Sequence, residues 1–505
     1  MDKLHADCGR RAALRLVTQP DGAVADKRSR CHGGSSPVTN ASIRPGRIDA
    51  TNGQVESAPD AVRAMFERHG IRTVQFGMAD IDGQVRGKFV PAEFFLDSVA
   101  RRGSSIPNIV FGWDIEDTLM DCFTVSGWHT GYSDVVLAPD LSTLRPVPWE
   151  PGHAFVLCDV VNTDGSPVPV APRTVLAGQV ERAAALGYRL TAGYELEFYL
   201  YRETPETAAA KGYRNLTPAS PGTATFSLNR HSALEDVIGA IREGMRACDI
   251  PVLASNTEYG AGQIEINIEH ADALTTADRV AIYKNGVRRI AEQHGYLATF
   301  MAKVATDSAG SSAHIHQSMQ QLDAPARNAM WDGDRPSALM RQAVAGQLAS
   351  MRDFTVLYCP TVNSYKRRVP GSWSPVSAAW GVDNRTAALR VIAHDEATCR
   401  MENRVPGADA NPYLALAACL AGVLHGIENQ LEPPAAVTGN AYQGADSPLP
   451  RSLAEAVDAF GASSLARTAF GDAFVDHYLA SRGWERDRHR EAVSDWETGR
   501  YFSRV

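Results

Sequence analysis

Apolar and polar residues along this chain follow two alternating rhythms, and their succession predicts the elements. "APDAVRAMFERHG" repeats its apolar positions at helical spacing and ends on Gly70. "IRTVQFGMADIDGQVRGKFVP" then alternates with period two on both sides of Asp82-Gly83, which predicts a hairpin. "SDVVLAPDLSTLRPVPWEPG" reads as strand, turn and a Pro-rich seam near 146 to 152, a boundary signal. Beyond the seam, strands and helices alternate. "AFVLCDVV" predicts a buried strand, "RTVLAGQVERAAALG" a helix, "YELEFYLY" a strand and "SALEDVIGAIREGMRACDI" a helix. "GQIEINIE" is a strand, and "TTADRVAIYKNGVRRIAEQHG" is a long amphipathic helix closed by Gly295. "NPYLALAACLAGVLHGIENQL" opens with Asn411 as N-cap and Pro412 at the first helical position. The expected organisation is therefore an extension over 1–58, a small β-rich domain over 59–150 and a large α+β domain over 151–505.

One strand breaks the usual rule that its polar side is merely wet. In "TAGYELEFYLY", Tyr194, Leu196, Phe198 and Leu200 share one face, while Glu195, Glu197, Tyr199 and Tyr201 share the other. The acidic face recurs. Glu265 lies opposite the isoleucines of "GQIEINIE", and Glu258 precedes a Gly-rich turn. "GSSAHIHQS" puts His314 and His316 on one face, and "CRMENRV" puts Glu402 between Arg400 and Arg404 at period two. A single acidic strand face is ordinarily solvated. Four such segments, each with an apolar opposite face, point instead to hard divalent cations, Mg²⁺ or Mn²⁺. A cationic set accompanies them: Arg367, Arg385, Arg390, Arg400 and Arg404. Arginine forks grip carboxylates and phosphates, and no GxxxxGK[ST] loop occurs, so the pattern suggests ATP chemistry outside the P-loop folds.

Composition narrows the classes without changing this picture. The 505 residues carry a net charge of −8, which gives no pull toward nucleic acid or an anionic membrane. No apolar run approaches the ~20 residues a membrane helix needs. Eight scattered cysteines with no CxxC pair suggest a reducing, cytoplasmic setting. Residues 1–58 are rich in Arg, Gly, Ser, Pro and Asn without apolar periodicity, and are expected to be a disordered, dispensable extension.

The stretches "DIDGQVRGKFVP", "GYELEFYL", "GAGQIEI", "HGYLATFMAK", "GSSAHIHQS", "NSYKRRVPG", "NRTAALR" and "ENRVPGADANPYLA" resemble, in order and spacing, class I glutamine synthetases and their γ-glutamyl-amine ligase relatives. The resemblance spans about residue 71 to the end. It implies a β-grasp-like N-terminal domain and a catalytic domain with an antiparallel-sheet funnel and surrounding helices. It further implies a homo-dodecamer of two hexameric rings, with sites shared between neighbours. Carried over by residue, Glu197, Glu258 and Glu265 match one metal position, and Glu195, His314 and Glu402 the other. Ser318 and Arg400 match ATP contacts, with His316 near the nucleotide. Arg367, Arg385, Arg390 and Arg404 match residues that hold the glutamate carboxylate and the transferring phosphate, and Gly310 belongs to a glutamate loop. The implied reaction phosphorylates the γ-carboxylate of glutamate with ATP, after which an amine displaces phosphate.

Three departures concern the amine side. Glutamine synthetases usually read "PGYEAP" after this arginine stretch, and here "VPGSWSP" sets Trp373 where a flap glutamate binds ammonium and shields the intermediate. Ala309 replaces a usual Asn. The family's "FDGSSI", whose Asp is a second ammonium ligand, has no clear counterpart: "FGWDIEDTLMDCF" offers Asp114, Asp117 and Asp121, and no register singles one out. A site for NH₄⁺ needs carboxylates around it, whereas tryptophan offers an apolar face and cation–π contact. The expected acceptor is thus an organic amine (polyamine, ethanolamine, alkyl or aryl). The alternatives are a glutamine synthetase using ammonia and a non-catalytic nitrogen sensor. Tyr442 in "GNAYQ" sits near the family's adenylylation position in a different local sequence, and is left out of the site.

Overall fold

A computed structural model describes residues 58–324, 327–443 and 447–505. The expectation of disorder over 1–58 falls almost wholly outside these residues. Helix α1 (Ala58–His69) leads into β1 (Thr73–Ala79) and β2 (Val85–Pro91), the predicted hairpin. Its turn is built by the Asp80 carboxylate, which accepts from the Asp82 and Gln84 amides at 3.0 and 2.9 Å, with Gly83 at φ +80°. With β3 (Ser104–Pro107), β4 (Asp134–Pro139), β5 (Arg145–Pro146) and β6 (His153–Val161), these strands form one sheet in the order β2-β1-β6-β4-β3, with β5 on β6.

The Pro-rich seam is therefore not where the smaller sheet ends. Strand β6, assigned from sequence to the larger part, pairs in parallel with β1 and antiparallel with β4 and β5. The prolines and Gly152 (φ +84°) make the return between β5 and β6. A Pro/Gly cluster breaks the local pattern equally in a linker and in a tight turn within one sheet.

After α2 (Pro172–Ala185) comes β7 (Tyr188–Tyr201), the organising strand of the second sheet, followed by α3 (Glu235–Ala247), β8 (Val252–Thr257), β9 (Gln263–Ile268) and β10 (Ala271–Asp272). Helix α4 (Ala273–Gln293), β11 (Leu297–Thr299), β12 (Ala313–Gln321) and the ribbon of β13 (Trp331–Asp332) and β14 (Arg335–Pro336) precede α5 (Ala338–Tyr358). Then come β15 (Trp380–Val382), β16 (Leu389–Ile392), β17 (Arg400–Asn403), α6 (Pro412–Glu428) and α7 (Asp472–Glu491). The nine strands run β15-β16-β17-β12-β7-β9-β8, with β10 and β11 also on β7; every pairing is antiparallel except β15 with β16. The apolar face of β7 packs on a core shared with α4, α5 and α6. Asn411 caps α6 as expected, accepting from the Tyr413 amide at 3.0 Å, while its amide nitrogen donates to Asp80 O and Ile81 O at 2.9 and 3.2 Å. One side chain thus starts the most buried helix and seats the hairpin of the first sheet on it.

Candidate active site

Strand register brings the separate acidic and cationic segments onto one surface. Glu195 stands opposite His314 across β7–β12, Glu197 opposite Glu265 across β7–β9, and His316 opposite Glu402 across β12–β17. Arg390 stands opposite Glu402 across β16–β17. Because side chains alternate with period two, these residues project from the face of the sheet opposite the core. The opening anomaly of the sequence thus resolves into a polar surface assembled from five strands.

Its charges are unevenly matched. Glu402 is fully buried and meets Arg390 at 3.1 Å and Arg404 through its other oxygen. Burial works against its charge, but Arg404, His314 and His316 hold its carboxyl below the usual range. Glu195 is likewise pushed up by burial and held well below that range by His314 and His316. His314 Nδ1 lies 3.4 Å from both Glu195 and Glu402, and burial and the nearby Arg404 lower its pKa against the pull of those carboxylates. Glu197 accepts from the Ser312 amide at 2.9 Å, the Ser312 hydroxyl and Gln263 Nε2 at 3.0 Å.

Glu258 and Glu265 differ. Glu258 receives only the Asn256 amide at 2.9 Å and a longer bond from the Tyr259 amide, and Glu265 has no hydrogen bond or ion pair among the described residues. Burial and Glu197 raise the Glu258 carboxyl to about 7. Burial and the charges of Glu195, Glu197, Glu258 and Glu402 raise Glu265 to about 9. Like charges directly opposite on neighbouring strands are unfavourable unless something positive sits between them. A donor set of carboxylates plus one neutral imidazole suits Mg²⁺ or Mn²⁺, so Glu197, Glu258 and Glu265 can hold one ion and Glu195, His314 and Glu402 a second.

His316 also converges on this point: its ring, Glu195 and Glu402 offer ligand atoms within 4.8 Å of one another. Arg400 Nε donates to His316 Nδ1 at 3.1 Å, and His316 Nε2, buried without a hydrogen-bond partner among the described residues, lies 2.9 Å from Glu195 Oε1. The ring of His316 is thus as well placed as that of His314 to serve as the imidazole donor.

The other sequence candidates divide. Arg367 is buried and donates to Val405 O and Arg404 O at 3.0 and 3.1 Å. It packs on Gly310 so tightly that a Cβ there would lie 2.4 Å from Arg367 Cγ. The Nε of Arg390 and of Arg404 are buried with no acceptor among the described residues, and an unpaired buried donor of this kind costs about 1–3 kcal/mol until an anion arrives. Ser318 follows His316 on the same face of β12, half-buried. Arg385 is exposed on the turn between β15 and β16 and makes no ion pair among the described residues. Trp373 is 50% exposed at φ +60°, on a turn outside the sheet. Of the three aspartates, Asp114 accepts from Trp484 Nε1 at 3.1 Å and from two amides of its own turn, and Asp117 pairs with Arg86 at 2.6 Å. Asp121 is exposed and has no hydrogen bond or ion pair among the described residues. Sequence reasoning missed Ser312 and Gln263 as the supports of Glu197. Both lie inside the matched stretches, but a neutral side chain announces itself only through the carboxylate it serves.

A family model described as glutamine synthetase, catalytic domain, matches residues 169–501. Glutamate–isopropylamine ligase of a Pseudomonas species is 42% identical over 447 residues, covering 87% of this chain and 97% of that protein. The gamma-glutamylethanolamide synthetase GlnA4 of Streptomyces coelicolor is 42% identical over 463 residues, covering 90% and 99%. The gamma-glutamylputrescine synthetase PuuA of Escherichia coli is 33% identical over 447 residues, covering 86% and 93%. Among solved structures, a GmaS/ADP complex superposes with a TM-score of 0.76 at 28% identity, covering 88% of this chain and 99% of that one.

Proposed function

The chain belongs to the glutamine synthetase family, and from that premise we propose that it is an ATP-dependent ligase joining glutamate to an organic amine through γ-glutamyl phosphate. The observation that carries the choice of acceptor is the asymmetry of the site. Every residue that matches the family's metal, glutamate and phosphate positions is present, while the position matching the flap glutamate bears Trp373. Relatives at 33–42% identity include enzymes named for isopropylamine, ethanolamine and putrescine.

In this reading Arg367, Arg390 and Arg404 fix the glutamate carboxylates and the transferring phosphate, and the unpaired Nε–H groups of Arg390 and Arg404 find their acceptors there. Arg385 approaches once substrate is bound. Gly310 leaves room for Arg367, and Ser318, His316 and Arg400 bind ATP. Two Mg²⁺ or Mn²⁺ ions, held by the two triads, would neutralise charge on the phosphate oxygens. The incoming amine is oriented against the Trp373 indole, and Asp121, with its carboxylate uncommitted, is the N-terminal aspartate we assign to the acceptor side. A cytoplasmic location is part of the proposal, supported by cysteines that are all free among the described residues. The assembly is proposed to be a homo-dodecamer of two hexameric rings.

The test is phosphate release from ATP and glutamate with ammonium, ethanolamine, isopropylamine, aniline, putrescine and spermine, each with and without Mg²⁺. Preference for one organic amine over ammonium supports the proposal. Preference for ammonium makes the protein a glutamine synthetase, and no response to any amine makes it a sensor. Trp373→Glu should raise the ratio of ammonium to organic-amine turnover at least about tenfold, since one charge-assisted contact is worth about 1.5–3 kcal/mol, or roughly ten- to 150-fold. Both residues carry the same backbone cost at positive φ, so the ratio reports the side chain alone. An unchanged ratio would take this position out of acceptor choice.

A further inference from the structure

Trp373 sits on a turn that is fastened from outside the sheet, and one of the fasteners is Tyr442. Arg368 holds one side of the turn, donating to Pro375 O at 3.2 Å and Pro450 O at 2.9 Å. Ser372 closes it internally through Arg367 O at 3.0 Å and Val369 O at 2.6 Å. The remaining fastener is the Tyr442 hydroxyl, which donates to Ser374 O at 3.2 Å, next to the tryptophan. The phenol is half-buried, and burial raises its pKa while the charges of Arg404 and Arg367 draw it back.

The segment bearing Tyr442 is itself tied to the turn that carries Arg385. Asn384 Nδ2 donates to Val437 O at 3.2 Å and Gly439 O at 2.8 Å, and the Ala441 amide donates to Thr386 Oγ1 at 2.9 Å. The Tyr442 amide is held by Asn440 Oδ1 at 3.0 Å. Residues 437–443 thus join two turns that lie apart in sequence, one bearing Arg385 and one bearing Trp373.

We propose that Tyr442 is a positioning residue for the acceptor side, its hydroxyl setting the Trp373 turn against the Arg385 turn and so fixing where the amine enters and how well water is kept from the acyl phosphate. This rests on the ligase reading above.

The test is Tyr442→Phe in the full-length protein with Mg²⁺, which deletes one hydroxyl and keeps the ring. A hydrogen bond of this kind is worth about 0.5–1.5 kcal/mol, so the KM for isopropylamine or ethanolamine should rise about three- to tenfold. Phosphate released from ATP and glutamate without any amine should rise by a similar factor, while the KM for ATP stays within about twofold. Hydrogen exchange of the amides in 369–375 should quicken, with those of 389–392 unchanged. Unchanged exchange across 369–375 overturns the proposal, as does a parallel shift of the ATP, glutamate and amine constants together with a lower melting midpoint. The exchange arm stands even where the wild type answers to no amine, so failure of the ligase reading and failure of this inference are read separately.

Discussion

Glu265→Ala is expected to lower ATP turnover about a thousandfold or more, at every Mg²⁺ concentration that supports the wild type, because a metal ligand carries several kcal/mol of charge stabilisation. Glu265 is the carboxyl on which the crowding of the site's negative charge falls hardest. It stands directly opposite Glu197, and burial with four neighbouring carboxylates raises its carboxyl from 4.5 to about 9. The linkage has a definite sign. In the unfolded chain this group loses its proton near 4.5, while in the metal-free fold it keeps it to about 9. The fold therefore binds the extra proton, and stability of the metal-free protein should fall as pH rises between those values. Removing the carboxylate should flatten that fall. Glu265→Ala is thus expected to melt higher than wild type in EDTA at pH 8, and lower than wild type in excess Mg²⁺. Metal binding should tighten as pH rises through about 7 to 9, where Glu258 and Glu265 give up their protons. Calorimetry with and without Mg²⁺, beside the turnover assay, checks all three. Turnover within tenfold of wild type would take Glu265 out of the metal set.

Arg173→Met is expected to cost about 3–5 kcal/mol of stability, the usual penalty for stranding a buried charge. Arg173, in α2, is buried and donates to Asp140 at 2.7 Å, to Asp159, and twice to Asp278 at 3.0 Å. Asp278 on α4 also accepts from the Tyr413 hydroxyl at 2.7 Å. Asp140 follows β4 and Asp159 lies in β6, so one guanidinium ties the first sheet to two helices under the second. Without it Asp278 keeps one neutral donor in a setting that already raises its pKa by burial. The urea midpoint should fall accordingly, and Arg173→Met with Asp278→Leu should recover part of the loss, since Asp278 is the one fully buried carboxylate of the three, while Asp140 and Asp159 reach solvent. The ratio of organic amine to ammonium turnover should stay as in wild type. No recovery in the double variant would mean that packing, not charge, makes the site essential.

The face of the sheet was legible in the sequence because alternation is a local property: Glu195 and Glu197 had to point together whatever strand lay beside them. The caps at Asn411 and the Asp82-Gly83 hairpin were legible for the same reason. Partners were not. Nothing in "AFVLCDVV" says that β6 joins the sheet of β1, since a buried strand reads alike in either sheet. The choice among Asp114, Asp117 and Asp121 depends on Arg86 and Trp484, far away in sequence. Nothing in "GNAYQ" says that the Tyr442 hydroxyl meets Ser374 O, because a backbone carbonyl carries no sequence signal.

Glu195, Glu197, Glu265, His314, Arg390 and Glu402 stand on strands, while Trp373 and Tyr442 stand on turns. A single residue inserted into β12 would send His314 and His316 to the core side and silence the site. The same insertion at 369–375 would merely reshape a surface loop. The two halves of the reaction therefore tolerate change very differently. A lineage, or a laboratory library, can explore new amines by lengthening and rewriting turns while the ATP-using half is inherited whole, and length variation among descendants should collect in those turns and be absent from β7, β9 and β12.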